Sequence, residues 1–428
     1  MLARMNISRP HLVTTCWILV ILALGVPLYL FEPSQSVLGD FTVYYEAALR
    51  VRNSQNLYDH SYSIKVADGR LFTLYYFYPP FLAHWLSSVA GLPFEQVQLL
   101  WTSLSFASLL VAAWGLSDIF QKLRPGALSP ETSLCLALSL LLCFEPTYWG
   151  IKEGQVNAII LALITTHIAL FMRGKDQLAG GVLAIAALLK MSPALLILLP
   201  LRLCRWRVLV GFLGTALFAV LLLLATTPMS VFKDFFLPFG PLLAGTLERH
   251  YFFNFAFDKA VLQLFGLDDF AALRWTAKLI LGLLPILAVT LLGKRNQGSA
   301  HTLILYGILI SCMILLAPTL WAHHLVWTII PLCVLSGRIF PTKDERLRHM
   351  TLTLGMFVLF AQTLLIQLHS CRAVFPGRCN PNVPGAQEAF TGASSAPELL
   401  LHLTTAVPGM LLLALIVLLW RSGRSSPS

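Results

Sequence analysis

The chain has 428 residues, 57% of them hydrophobic and only 12% Asp, Glu, Lys or Arg, with mean hydropathy +0.75. A soluble domain needs roughly a quarter of its residues charged to cover its surface, so a water-soluble globular protein is excluded. The formal net charge of +10 is no nucleic-acid signature, because the basic residues stand in short clusters between apolar runs.

In chain order, the apolar runs are Leu12 to Phe31, Val97 to Phe120, Val208 to Ala225, Leu279 to Leu292, Leu303 to Pro318, Val326 to Ile339, Met350 to Leu368 and Leu399 to Trp420. Most are long enough to cross a core of about 30 Å as helices. Shorter apolar stretches follow Glu131, Gln155, Gln177 and Met191. Together they predict an all-α polytopic membrane protein of about twelve transmembrane helices. The first run reads as an uncleaved helix, since no small-x-small cleavage site precedes the loop after it.

The basic clusters are Arg4 and Arg9; Lys122 and Arg124; Arg173 and Lys175; Arg202, Arg205 and Arg207; Lys294 and Arg295; Lys343, Arg346 and Arg348; Arg421 and Arg424. The positive-inside rule places them in the cytoplasm, with two spans between neighbours and both termini cytoplasmic. That alternation requires Phe81 to Ala90 to be an interfacial or re-entrant helix introduced by Tyr78, Pro79 and Pro80. It also requires Leu178 to Arg202 to be a hairpin of two short helices meeting near Lys190, with a single tilted span as the competing reading. The expected organisation is one membrane domain. Its parts are a first span at 11–31, a large external loop at 32–96 with interfacial helices, a catalytic membrane core at 97–340, and C-terminal spans with an external loop at 341–428.

Most of the eight cysteines lie in or beside apolar spans and read as packing residues, whereas Cys371 and Cys379 share an external loop and can pair in an oxidising compartment. No nucleotide-binding glycine loop, zinc spacing or soluble catalytic domain is visible, so any chemistry is built on the membrane fold.

Polar groups gather on the face away from the cytoplasm. The first loop carries Gly39-Asp40-Phe41, Tyr44, Tyr45 and Tyr78; the second Glu145, Trp149, Glu153, Gln155 and Asn157; the third Lys190. The fourth carries Glu248, Arg249 and His250, and the fifth His323 and His324. Each has a structural reading: Asp40 as an N-cap, Gln155 and Asn157 pairing at a helix start, Lys190 snorkelling, and the histidines in an aromatic belt with Trp321 and Trp327. Against this, an ionisable residue at the depth of Lys190 is a functional candidate. Several loops also bring acid, amide, lysine and histidine to one side.

The pattern Gly39-Asp40-Phe41 with Tyr44-Tyr45 and Ala47-Ala48, then Leu57-Tyr58 and Tyr76-Phe77-Tyr78-Pro79-Pro80, resembles glycosyltransferase family 87. So do Gly154-Gln155-Val156-Asn157, Gly180-Gly181 leading to Lys190 and Pro193, Arg205-Trp206-Arg207, and His323-His324. The similarity runs from about Leu12 to Arg338, and the last two spans match nothing in the family pattern. The resemblance implies the C-type fold of membrane glycosyltransferases. It implies a sugar, by family default mannose, carried on a polyprenyl monophosphate and transferred with inversion on the extracytoplasmic face of a bacterial inner membrane. Asp40 stands at the position of the general base.

The chemistry agrees: an acceptor hydroxyl needs its proton removed as it attacks, and the departing phosphate needs preorganised cations. Lys190 and His324 are the expected phosphate ligands, with His323 as the fallback. Gln155, Asn157 and Glu153 are expected at sugar or acceptor hydroxyls, and Tyr44, Tyr78 and Trp149 on the sugar ring or along the lipid groove. The expected partners are the polyprenyl-phosphate sugar, a glycolipid or glycan acceptor and the bilayer, with no nucleic acid. No metal or other cofactor is expected, since Glu145 and Glu153 stand eight apart with no Asp-x-Asp between them. The rival readings are a lipid-linked-sugar transporter or flippase and a non-catalytic scaffold. Against a transporter, the halves show no self-similarity and the polar groups favour one face.

Overall fold

In the computed structural model, residues 39–58, 62–65, 71–74, 76–239, 256–264, 271–293, 298–317, 319–337, 353–356 and 396–424 are described. The expected first span, most of the run from Met350 to Leu368, the Cys371–Cys379 pair and the loop residues Glu248, Arg249 and His250 lie outside them.

The described chain begins with Gly39–Arg52 (α1) and continues through Pro80–Ser87 (α2), Phe94–Leu123 (α3), Pro130–Leu142 (α4) and Glu145–Lys152 (α5). Then come Asn157–Met172 (α6), Asp176–Leu189 (α7), Leu198–Arg202 (α8), Trp206–Thr226 (α9) and Met229–Asp234 (α10). Phe257–Leu264 (α11), Ala271–Leu292 (α12), Ser299–Leu315 (α13), Ile329–Gly337 (α14) and Ala396–Arg424 (α15) complete the helices, with 3₁₀ turns at Ser192–Ile197 and Ala322–Thr328.

Among the described residues the chain is helical apart from one short hairpin. Tyr62–Lys65 (β1) and Leu71–Leu74 (β2) pair antiparallel, with Tyr62 opposite Leu74 and Lys65 opposite Leu71. The sequence between them carries Asp68-Gly69, a hairpin signal, and four-residue strands leave little imprint beside long apolar helices.

Among the described residues, α3 and α9 are long and apolar enough to cross a membrane, and α4 with α5, bent by 64°, make up to three such spans. Seven apolar helices of 10–17 residues accompany them. α9 shows why the surroundings are lipid. Its Val210, Leu217 and Phe218 are 59%, 60% and 69% exposed, an apolar face that water does not tolerate on a helix.

The core is built by close helix crossings. α7 packs on α9 and on α6, and α6 packs on α3. Gly180 of α7 lies against the Val208 carbonyl and Phe212 N–H of α9, and Gly211 of α9 lies against the Gln177 carbonyl of α7. A Cβ at either place would overlap backbone that cannot rotate away. We therefore expect Gly180→Val to lower the melting temperature of detergent-solubilised protein, the overpacking costing at least about 1–3 kcal/mol. An unchanged midpoint would show that the two helices can separate freely.

Two further ties fix α7. The buried His167 ring on α6 bonds the Ala179 carbonyl through Nδ1 at 2.9 Å and the Tyr306 hydroxyl of α13 through Nε2 at 2.9 Å. At the start of α7, Asp176 receives a forked ion pair from Arg205, whose guanidinium also donates to the Phe171 carbonyl at 3.0 Å and stacks on the Phe171 ring at 3.9 Å. The opposite end of α7, roughly 21 Å away, stops at Leu189. Lys190 is extended there, and Pro193, which lacks an N–H, opens the 3₁₀ turn that follows. The expected pair of short helices meeting at Lys190 is therefore present.

Candidate active site

The site begins at the turn between α5 and α6. Gly154 ends α5 with φ of +68°, the left-handed conformation that glycine adopts without strain, and the Gln155 N–H bonds back to the Gly150 carbonyl at 2.8 Å. Trp101 of α3 donates its indole N–H to the Gly154 carbonyl at 2.7 Å. The Phe41 N–H bonds the Glu153 carbonyl at 3.2 Å, which docks the first turn of α1 on this turn and sets Asp40 beside Gln155. Asp40 lies within the first turn of α1 rather than at its cap.

Gln155 organises the acidic half of the site. Its buried amide donates through Nε2 to Asp40 Oδ2 and accepts through Oε1 from the hydroxyls of Tyr44 and Tyr78, each at 3.0 Å. The two tyrosine rings meet edge-on at 4.9 Å. Tyr78 is held in turn by Tyr58, whose hydroxyl donates to the Tyr78 carbonyl at 2.8 Å. Glu153 reaches His323, with 2.7 Å between Oε2 and Nδ1. Asp40, Glu153 and His323 each place one donor atom within 4.8 Å of the others. Burial, and then the negative charge of Glu153, push the Asp40 carboxyl up to about 6. His323, the Gln155 hydrogen bond and Lys190 act the other way.

The basic half lies on the far side of Tyr78. Lys190 Nζ is 2.7 Å from His324 Nε2 and 3.4 Å from Asn157 Oδ1, and it stands over the rings of Trp327 at 5.2 Å and Tyr78 at 5.6 Å. An ammonium and an imidazolium at that distance would set two N–H groups head to head, so the pair carries at most one positive charge. Trp327 stacks on His324 with rings 5.9 Å apart and donates to the Asn157 carbonyl at 3.2 Å. Asn157 donates to the His323 carbonyl at 3.2 Å, which ties the two halves together.

Asp40, Lys190, His324, His323, Gln155, Asn157, Glu153, Tyr44 and Tyr78 thus converge from five parts of the chain. Of the histidines, His324 meets Lys190 and His323 turns to Glu153. Tyr44 is fully buried, its ring spent on Tyr78 and Trp101. Trp149 turns to Glu145 at 3.2 Å and to Lys152, which stacks over it at 4.6 Å. Two residues join that the sequence did not single out as site residues. Trp327 stands three positions after His324, a helical spacing that points at it. Trp101 carries no signal, being one apolar residue in a long apolar run.

Asp40, Glu153 and His323 are the one group among the described residues spaced to hold a metal. An imidazole that binds a metal gives its second nitrogen a hydrogen-bond partner, and His323 Nε2 is buried with none among the described residues, so the donor set fits a cation poorly.

Because one amide serves three side chains, Gln155→Leu is expected to leave two buried hydroxyls without their acceptor. Each costs about 1–3 kcal/mol, read as a lower melting temperature. A midpoint equal to wild type would show that Tyr44 and Tyr78 find other acceptors.

The glycosyltransferase family 87 model matches residues 76–318, more than half of the chain. The chain belongs to glycosyltransferase family 87. Relatives in Mycobacterium tuberculosis (strain CDC 1551 / Oshkosh) and Mycolicibacterium smegmatis (strain ATCC 700084 / mc(2)155) are 26% identical over 339 residues and 27% identical over 335 residues. Each alignment covers 74% of this chain, with 70% of the first relative and 73% of the second. Both are polyprenol-phosphate-mannose-dependent alpha-(1-2)-phosphatidylinositol pentamannoside mannosyltransferases. No solved structure matches the chain. Membership in family 87 and the apolar helices make this protein a membrane glycosyltransferase.

Proposed function

We propose that this family 87 protein transfers a hexose, mannose by the names of its relatives, from a polyprenyl-phosphate donor to a glycolipid or glycan acceptor, with inversion at the anomeric carbon. The reading includes the C-type fold with about twelve spans, cytoplasmic termini and a site on the extracytoplasmic face of a bacterial inner membrane. Sidedness is supported by α7, which carries Lys190 at one end and the Arg173, Lys175 and Arg205 cluster near the other.

One observation carries the chemistry: a lysine among neutral groups stands across Tyr78 from a carboxylate of raised proton affinity. Asp40 accepts the proton of the acceptor hydroxyl as its oxygen attacks the anomeric carbon. The bond from that carbon to the bridging phosphate oxygen breaks, and the polyprenyl phosphate leaves with the electron pair. Lys190 and His324 receive its developing charge. A pair that carries at most one positive charge suits a phosphodiester with one negative charge better than a diphosphate. Gln155 and Asn157 each keep one amide N–H beyond the bonds described, enough for a directed bond to a sugar hydroxyl. No metal takes part.

The test is label transfer from radiolabelled polyprenyl-phosphate mannose in membranes with and without the protein. A new labelled glycolipid or glycan whose anomeric configuration is opposite to the donor's supports the reading. Retention removes the inverting mechanism. Movement of intact donor across the bilayer without any new glycoside favours the flippase.

A further inference from the structure

Glu153 and His323 have no part in the steps above, yet their contact stands beside the base. Glu153 caps the end of α5 and is partly open to solvent, whereas His323 is buried under the 3₁₀ turn Ala322–Thr328. An ionised carboxylate only accepts, so the hydrogen at their 2.7 Å contact belongs to His323 Nδ1. The other nitrogen, Nε2, is buried without a partner among the described residues. The histidine therefore orients the Glu153 carboxylate. That charge stands within 4.8 Å of the Asp40 carboxylate.

We propose that Glu153, fixed in place by His323, is a positioning residue for transfer: its carboxylate faces Asp40 within 4.8 Å and governs how readily that group takes up the acceptor's proton. The inference rests on Asp40 as the base and assigns Glu153 and His323 to the acid half of the site, away from sugar and phosphate. The groups facing Asp40 are Glu153 from α5, His323 from the 3₁₀ turn, Gln155, Tyr44 from α1, Tyr78, and Lys190 from the end of α7. Glu153 opposes ionisation of Asp40 there, and the raised Asp40 value, with Glu153 as its second cause after burial, agrees with that placement.

The test is the rate–pH profile of transfer by the full-length protein in membranes. In wild type the acid limb marks protonation of the base. Glu153→Gln and Glu153→Ala remove the facing charge, so their limbs are expected to move to lower pH by about one unit or more, the size of a like-charge effect at this range. Their plateau rates are expected to fall roughly three- to tenfold as the base weakens, with acceptor KM little changed. Glu153→Asp is expected to return the limb toward wild type, an outcome that a merely structural role does not give. Limbs of both neutral variants at the wild-type position overturn the inference, as does loss of activity at every pH in protein of wild-type melting temperature. Asp40→Asn separates the two levels. An inactive Asp40→Asn with an unmoved Glu153→Gln limb removes only the role of Glu153, whereas an active Asp40→Asn removes the base itself.

Discussion

Asp40→Asn is expected to lower sugar transfer by about 10²–10⁴-fold at neutral pH, the usual contribution of a positioned base. Asn keeps the size of the side chain and can still bond Gln155, whose amide is fixed by Tyr44 and Tyr78, so accumulation and melting temperature should stay near wild type. The pH dependence of the wild type has a definite sign. A base must be unprotonated to accept, and burial with the neighbouring Glu153 charge lifts Asp40 from 3.8 to about 6. Activity should therefore be flat above that value and fall about tenfold per unit below it. The limb of a free aspartate would lie about two units lower. Initial rates from pH 4.5 to 8 with radiolabelled polyprenyl-phosphate mannose check both points. Asp40→Asn retaining a tenth or more of wild-type transfer would reject the mechanism while leaving the enzyme class intact.

Lys190→Met is the second large effect. It removes the cation that faces the departing phosphate, and a loss of about 10²–10³-fold in turnover is expected by analogy with other preorganised charge-stabilising groups. The donor KM should rise as well, because the ground-state phosphodiester already carries charge. Lys190→Arg should not restore the rate. The ammonium sits 2.7 Å from His324 between the rings of Trp327 and Tyr78, a place for a compact point charge rather than a planar fork. Turnover of Lys190→Met within threefold of wild type would place the phosphate elsewhere. A flippase would respond differently to Asp40→Asn, since moving an intact lipid needs no proton acceptor.

Much of this was legible along the chain, and much was not. Apolar run length and the low charge content determined a helical membrane protein, because hydrocarbon admits only segments that satisfy their own backbone. Local chemistry determined the break after Leu189, since Pro193 cannot continue the α7 hydrogen-bond ladder, and it singled out Lys190 as a cation without a comfortable apolar place. The family pattern marked Asp40, Gln155, Asn157 and the histidine pair.

Only the tertiary structure decided how they pair. Adjacent histidines project in different directions from a 3₁₀ turn, so His324 meets Lys190 while His323 meets Glu153, and no spacing rule tells the two apart. Gln155 bonds Asp40 across 115 positions, and Trp101 reaches Gly154 across 53. Such contacts are fixed by which helices cross and how closely, and here the crossing depends on two glycines, Gly180 and Gly211, whose missing side chains let backbone meet backbone. Sequence determined which groups this protein would want away from lipid; helix packing decided which of them share a hydrogen bond, and that Asp40 is buried with Glu153 beside it.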